Sequence, residues 1–364
     1  MRILVVNAGS STLKLSVLED ERLVASEELP APGGRLDESR VRERIDAWGA
    51  VDAVGHRIVH GGSEFTQPVR VDPSVRRRLE ALTDLAPLHQ PKSLSALDLV
   101  SRLRPGVPAV ACFDTAFHAA LPSAASTYAL PPEWRRRWNL RRFGFHGLSH
   151  AYAARRAAEL AGRPPASLRL VTCHLGAGAS LAAVDHGVSV DTTMGFTPLE
   201  GLVMATRSGT VDPGLLLWLE EHAGMPPSEL ASTLEHRSGL LGLAGSSDLR
   251  EVLEAEHRGE PDAVRAVGVY LHRLRAGVAA MAAAMDGLDA IVFTGGVGEH
   301  SPPIRARASA GLGFLGIAVD SARNDNGAAD REITATGARV RSFVVAARED
   351  LEIARGVRAV LAGP

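Results

Sequence analysis

The chain has 364 residues, enough for two domains of ordinary size and for a core that needs neither disulfide nor metal to hold it. With 45% apolar and 23% charged residues, and 40 basic side chains against 42 acidic ones, it reads as a globular protein and not as a binder of nucleic-acid backbones. Cys112 and Cys173 stand far apart in no CxxC spacing, which fits a cytoplasmic setting, and neither the start MRILVVNAGSS nor the small-residue run 276–285 reads as a signal peptide or a membrane span.

The predicted elements alternate between strand and helix, an α/β pattern. Residues 2–6 form an apolar run, NAGSS a turn, and LKLSVLE a second strand in which Leu13, Leu15 and Val17 alternate and Leu18 breaks the pattern. No helix opens after the glycine, so this is neither a dinucleotide-binding fingerprint nor a P-loop, and GxxxxGK[ST] is absent. The same grammar returns at 168–184. A second pair, VDAVGHRIVHGG (51–62) and LDAIVFTGGVGE (288–299), recurs in the same order. Two elements repeated in order point to a duplicated domain.

The domain crossing is expected just before the proline-rich stretch 121–132. The block RRRWNLRR (135–142) reads as a solvated face. Helices are predicted at 149–161, 213–223 and 262–285, the last with an apolar stripe of Val264, Val267, Leu271, Leu274, Val278, Met281 and Met285. Pro226-Pro227 and Pro302-Pro303 read as loops, and 324–327 as a turn.

Three glycine-bearing turns follow strands. Residues 7–14 offer backbone amides, three hydroxyls and the Lys14 ammonium, a cradle for phosphate oxygens or equally an ordinary hairpin turn. The segments 174–180 and 295–299 are the others, and three such turns in a duplicated α/β chain point to a bound nucleotide. Arg57 in GHRIVHGG and Arg207 in MATRSGTVDPG stand out from a chain rich in arginine by their neighbours alone; a guanidinium fork suits carboxylate or phosphate. Asp114 directly follows an apolar strand, where a carboxylate faces a ligand cleft or caps a loop. His146 sits among aromatic residues and, taken alone, reads as a packed histidine. The 13 histidines show no zinc-ligand spacing.

Taken together, NAGSSTLKLSV, GHRIVHGG, APLHQPKS, CFDTAFH, RRFGFHGLSH, CHLGAGASLAAV, DTTMGFTPLEGLVMATRSGTVDPG, TGGVGEHS and REDLEIAR resemble the acetate kinases, in order and over nearly the whole chain. The resemblance implies duplicated actin-like (ribonuclease H-like) α/β domains with an interdomain nucleotide cleft. It implies that the C-terminal helix returns to the first domain, giving domains 1–116 plus 352–364 and 117–351. It further implies reversible, Mg-ATP-dependent phosphorylation of acetate to acetyl phosphate by direct in-line transfer, with Mn2+ as an alternative metal, in a cytoplasmic homodimer with no nucleic-acid or membrane partner.

By matching motif, Asn7 and Glu349 would hold the metal, and Arg57 and Arg207 would flank the phosphoryl group and the carboxylate. Asp114 and His146 would be catalytic, and Val59, Leu88, Phe145 and Pro198 would line the acid's apolar pocket together with Arg57. ATP would be bound by Lys14, by His174, Leu175, Gly176, Ala177 and Gly178, by Asp248, Leu249 and Arg250, and by Gly296, Val297, Gly298, Glu299 and His300. This sequence departs from the family's pattern at Ala177, Arg348 and His300. It is also shorter than a typical member, with the deletions expected in peripheral segments. Alternative readings are a propionate or butyrate kinase of the same family, or a non-catalytic nucleotide-gated binding protein of the superfamily.

Overall fold

The computed structural model describes residues 1–9, 12–87, 89–327 and 330–363. Twelve strands are seen among them: β1 (Arg2–Ala8), β2 (Thr12–Glu19), β3 (Arg22–Pro30), β4 (Ala53–Ile58), β5 (Val69–Arg70), β6 (Ala109–Phe113), β7 (Arg169–Leu175), β8 (Ala179–Asp185), β9 (Val188–Thr192), β10 (Ala290–Thr294), β11 (Arg331–Glu332) and β12 (Arg341–Val344). They build two six-stranded sheets, ordered β3-β2-β1-β4-β6-β5 and β9-β8-β7-β10-β12-β11. In each, an antiparallel meander runs into three parallel strands, and a short antiparallel strand closes the edge. The two sheets thus share one topology, and the protein is a duplicated α/β chain. Both repeats legible in the sequence fall at matching places: β1–β2 corresponds to β7–β8, and β4 to β10.

The chain divides into two compact units, one of Met1–Ala119, Phe145–Tyr152 and Arg348–Pro364, the other of Ala120–Gly144 and Ala153–Ala347. The resemblance places the boundaries at 116/117 and 351/352. The units break instead at 119/120 and 347/348, and the first also takes in the segment around His146.

The central strand β1 is covered on both faces, and its residues Ile3–Val6 are all apolar and buried, whereas the edge strand β3 is largely exposed. Leu4, Val6, Leu13, Leu15 and Val17 pack on the helices Glu38–Ala47 and Gln90–Leu103. Ile3, Val5, Leu18, Ala53 and Val110 pack on the C-terminal helix Glu349–Leu361 through Ile353, Ala354 and Val357. Leu18, off-pattern for a one-sided strand, belongs to that second face. The C-terminal helix lies so close that a Cβ on Gly55 of β4 would stand 2.5 Å from Ile353 Cγ2 and 2.8 Å from Val357 Cγ2.

In the second unit the helix Pro213–Ala223 starts on Asp212, whose carboxylate accepts from Gly214 N–H, and stops at Gly224 in the left-handed region. The long helix Pro261–Ala283 buries Val267, Leu271, Leu274, Val278 and Met281 of the predicted stripe, while Val264 is exposed. Several local expectations are corrected. Pro227 and Pro302 open the helices Pro227–His236 and Pro302–Ala310, in first-turn positions where a missing N–H costs nothing. Gly295 bends the chain at φ +77°, and 295–299 then continues as the helix Gly295–His300 instead of a turn. Asn324 lies inside the helix Ser321–Asp325, buried, with its side-chain oxygen accepting from Arg305. Arg142 is not part of a solvated face: its guanidinium is bound to the loop at 193–200. Among the described residues no helix is long and apolar enough to cross a membrane.

The Gly55 contact gives a direct test. Both opposing methyls hang from β-branched carbons and cannot swing aside. Gly55→Val is expected to cost about 1–3 kcal/mol of stability through overpacking, read as a lower melting temperature by circular dichroism; an unchanged melting temperature would contradict the packing described.

Candidate active site

Three parallel strands of the first sheet end side by side, and each delivers one polar side chain. Asn7 is near the end of β1, Arg57 near the end of β4, and Asp114 immediately follows β6; β4 pairs with both neighbours in parallel. The carboxyl ends of parallel strands are where open α/β sheets bind ligands. Glu349, on the first turn of the C-terminal helix, completes the group.

Arg57 is the hub. Its Nε and one terminal nitrogen donate to the two oxygens of Asp114 at 2.9 and 2.5 Å. The other terminal nitrogen donates to Asn7 Oδ1 at 3.2 Å, and Asn7 Nδ2 donates to Glu349 Oε2 at 2.8 Å. Glu349 Oε2 lies 3.8 Å from Arg57 Nε. The Asp114 side chain is 1% exposed, and those of Arg57 and Glu349 are 15% and 16% exposed. Burial works against the charge on Arg57, but the carboxylates of Asp114 and Glu349 outweigh it and hold the guanidinium protonated, above its ordinary range. Burial pushes the Asp114 carboxyl up, and Arg57 opposes that shift.

His146 has φ +57°, a left-handed conformation uncommon for a residue with a side chain. Its neighbours hold it there. Gly147 N–H donates to Asp114 O at 2.8 Å, His150 N–H donates to His146 O at 2.9 Å, and the imidazole of His118 meets Phe145 O at 3.0 Å. A Cβ on Gly147 would overlap Asp114 O, so only glycine allows this approach. Val59 and Phe145 are buried in the same unit, and His60 meets the Phe145 ring edge-on at 5.4 Å. Lys14 stands opposite Asn7 in the β1–β2 ladder, exposed, in the first unit. Leu88, and two of the turn hydroxyls, Ser10 and Ser11, lie outside the described residues.

The second unit holds a cavity of about 720 Å3, within the range of small-molecule sites. Gly176, Ala177, Asp248, Leu249, Arg250, Gly296, Val297 and His300, all among the residues that the resemblance assigns to ATP, line it. His174, Leu175, Gly178, Gly298 and Glu299 are not among the lining residues. Leu175 is fully buried, and Gly178 O closes the turn by accepting from Gly176 N–H. The carbonyls of Gly298 and Glu299 accept from Arg305, and the Glu299 carboxylate accepts from Ala347 N–H. Asp248 caps the helix Leu249–His257 and pairs with Arg250, whose hydrogen bonds hold its carboxyl below the usual range.

Ala205, Leu240, Ser247, Leu253, Tyr270, Ser301 and Pro303 also line the cavity and were missed from sequence. Leu253 carried a signal, standing one helical turn after Leu249. Ser247, Ser301 and Pro303 lie close in sequence to Asp248 and His300, and Ala205, Leu240 and Tyr270 are brought in only by the tertiary fold.

Arg207 and Pro198 lie in the second unit and are bonded to each other, with one terminal nitrogen of Arg207 donating to Pro198 O at 3.1 Å. Arg207 Nε faces Glu235 at 3.3 Å, a partner that no local sequence feature revealed. The three departures from the family pattern are accommodated. Ala177 O accepts from Ala205 N–H, His300 lines the cavity, and Arg348 is turned onto Asp350 with bonds of 2.9 and 3.0 Å.

The model of the acetokinase family matches residues 34–355. This chain belongs to that family. It is 44% identical to an acetate kinase of Synechococcus sp. over 404 aligned positions, covering all of both chains. Among solved structures it is similar to Porphyromonas gingivalis acetate kinase (35% identity, TM-score 0.90, 99% of each chain). It is also similar to a propionate kinase from Francisella tularensis (32% identity, TM-score 0.90, 98% of each chain).

The first unit also holds buried histidines. Burial lowers His56, His60 and His118 from 6.5 to about 4. The unfolded chain takes up these protons near pH 6.5 and the folded one only near 4, so between the two the unfolded state binds more protons. Stability is therefore expected to be steady above pH 7 and to fall as pH drops from 6.5 towards 4, measured as the urea midpoint at each pH. A midpoint that stays flat down to pH 4.5 would contradict this.

Proposed function

We propose that the chain phosphorylates acetate with Mg-ATP, reversibly, to give acetyl phosphate and ADP by direct in-line transfer. The observation that carries this reading is Arg57, fixed by both oxygens of Asp114 and by Asn7 at the carboxyl ends of β4, β6 and β1.

Acetate, with a pKa near those of Asp and Glu at about 4–5, is already ionised at neutral pH. No base is needed to make the nucleophile, and Asp114 serves to aim Arg57. The barrier is charge, because an anionic carboxylate must approach an anionic phosphoryl group. Arg57, Arg207 and His146 are the protein donors that compensate it. One guanidinium against the carboxylates of Asp114 and Glu349 leaves the first-unit cluster net negative. Its hard oxygen donors fit a magnesium ion, which takes one or two protein ligands and completes its shell with phosphates and water. Asn7 and Glu349 would hold that ion, or manganese in its place, and when bound it would offset charge on the phosphates. The second-unit cavity would take the nucleotide. Within its lining, Ser301 Oγ and Tyr270 Oη are buried and have no hydrogen-bond partner among the described residues.

Val59, Leu88, Phe145 and Pro198 would line the apolar pocket for the acid's methyl group, as the resemblance implies. One methylene in such a pocket changes preference by about 10–200-fold, so propionate is a slower substrate. Relatives named acetate kinase at 44% and 42% identity favour acetate over propionate as the preferred acid. The enzyme acts in the cytoplasm as a homodimer. In support, the helix Pro213–Ala223 buries none of its residues and exposes Leu215, Leu217 and Trp218.

The test is to incubate the protein with Mg-ATP and acetate, propionate or butyrate, trapping acyl phosphate with hydroxylamine. Product strongest with acetate is expected. Product strongest with a longer acid would move the substrate, and none with any acid would end the kinase reading. Arg57→Ala is expected to lower kcat on the order of 10³-fold, and Arg57→Lys to recover only part, since the planar fork is lost. A lysine variant with wild-type kcat would contradict the clamp.

A further inference from the structure

We infer that Arg142, Glu200 and Tyr128 form a positioning network that sets acid selectivity by fixing the loop that carries Pro198. The inference rests on the reading above, in which Pro198 lines the acid pocket.

Residues 193–200 have no helix or strand of their own, so their position depends on what binds them. One terminal nitrogen of Arg142 donates to Thr193 O at 3.2 Å and Met194 O at 3.1 Å. The other donates to Glu200 Oε1 at 2.8 Å. The second Glu200 oxygen accepts from the Tyr128 hydroxyl at 2.7 Å, and the hydroxyl oxygen accepts from Phe196 N–H at 2.9 Å. The circuit therefore ties the start, middle and end of the loop to one another. Gly195 lies inside it: a Cβ there would overlap both the Glu200 carboxylate and the Tyr128 hydroxyl. Gly195 O accepts from Phe143 and Gly144 N–H at 3.0 and 3.2 Å, which fastens the loop to the segment bearing Arg142.

The loop matters because of what it holds. The Pro198 ring is buried, and Pro198 O accepts from Arg207, whose Nε is in turn paired with Glu235. A shift of the loop moves an apolar wall of the acid pocket and the Arg207 guanidinium together. Arg142, Glu200 and Tyr128 reach both only through the loop, so they are positioning residues. A fixed wall discriminates against an added methylene; a loosened wall yields to it.

The test is the ratio of kcat/KM for acetate to that for propionate, with KM for ATP measured alongside. Tyr128→Phe removes one oxygen and leaves Phe196 N–H and Glu200 without their shared partner. It is expected to lower the acetate-to-propionate ratio about fivefold or more while KM for ATP stays within about twofold. Glu200→Gln keeps the size and loses the charge facing Arg142, and is expected to move the ratio in the same direction. It also serves as the second variant should Tyr128→Phe melt too low to assay. An unchanged ratio, or an equal loss of kcat with both acids, would make the network a purely structural one and overturn the inference. A wild-type protein that makes no acyl phosphate with any acid would instead overturn the kinase reading itself, so the two failures are told apart by the wild-type arm.

Discussion

The polar cluster of the first unit is organised by one ion pair. A guanidinium and a carboxylate are almost wholly removed from water where Arg57 meets Asp114 at 2.5 and 2.9 Å. Isolated, either charge would be costly to bury, and removing one partner of such a pair typically costs about 3–5 kcal/mol. Paired in a fork, each fixes the other's position. The remaining donors of Arg57 then have a set direction, and Asn7 and Glu349 fall into place around them. Such a pair contributes little net stability, but it supplies an oriented cation in a dry setting.

Much of the local architecture reads as support for that pair. Three parallel strands bring Asn7, Arg57 and Asp114 to one edge. The C-terminal helix, seated against Gly55, presents Glu349 at its first turn. Gly147, pressed against Asp114 O, holds His146 in a left-handed backbone conformation. The second unit repeats the sheet but not the chemistry. Where β1 carries Asn7 and β4 carries Arg57, β7 carries His174 and β10 ends on Thr294. Its glycine-bearing turn and the helix Gly295–His300 border a cavity instead. Duplication followed by divergence gives one unit the oriented charges and the other a cavity of small-molecule size.

The duplication was legible because strand alternation and glycine turns are local signals, and β1–β2 and β7–β8 are both hairpins. Asn7 and Asp114 were legible because a polar residue closing an apolar run is conspicuous, and Arg57 because of the patterned segment GHRIVHGG around it. What stayed hidden depends on distant partners. A charge run around Arg142 reads as solvated until Glu200 and the carbonyls of 193–194 are known to surround it. The pairing of Arg207 with Glu235 joins residues 28 apart in sequence with no shared motif. Gly295–His300 is too short and too glycine-rich to show helical periodicity. Proline pairs mark a helix start as readily as a loop, and local composition does not separate the two.

In the proposed reaction Asp114 aims Arg57 and does not remove a proton. The most direct measurement is the rate of acetyl phosphate formation by folded Asp114→Asn, followed by phosphorus NMR at several pH values beside the wild type. The account predicts a rate lower by about 10²-fold or more, as expected for a misaimed group. It also predicts that the wild-type rate shows no limb attributable to a base titrating at Asp114. Wild-type turnover in Asp114→Asn, or a wild-type limb that the substitution abolishes, would contradict it.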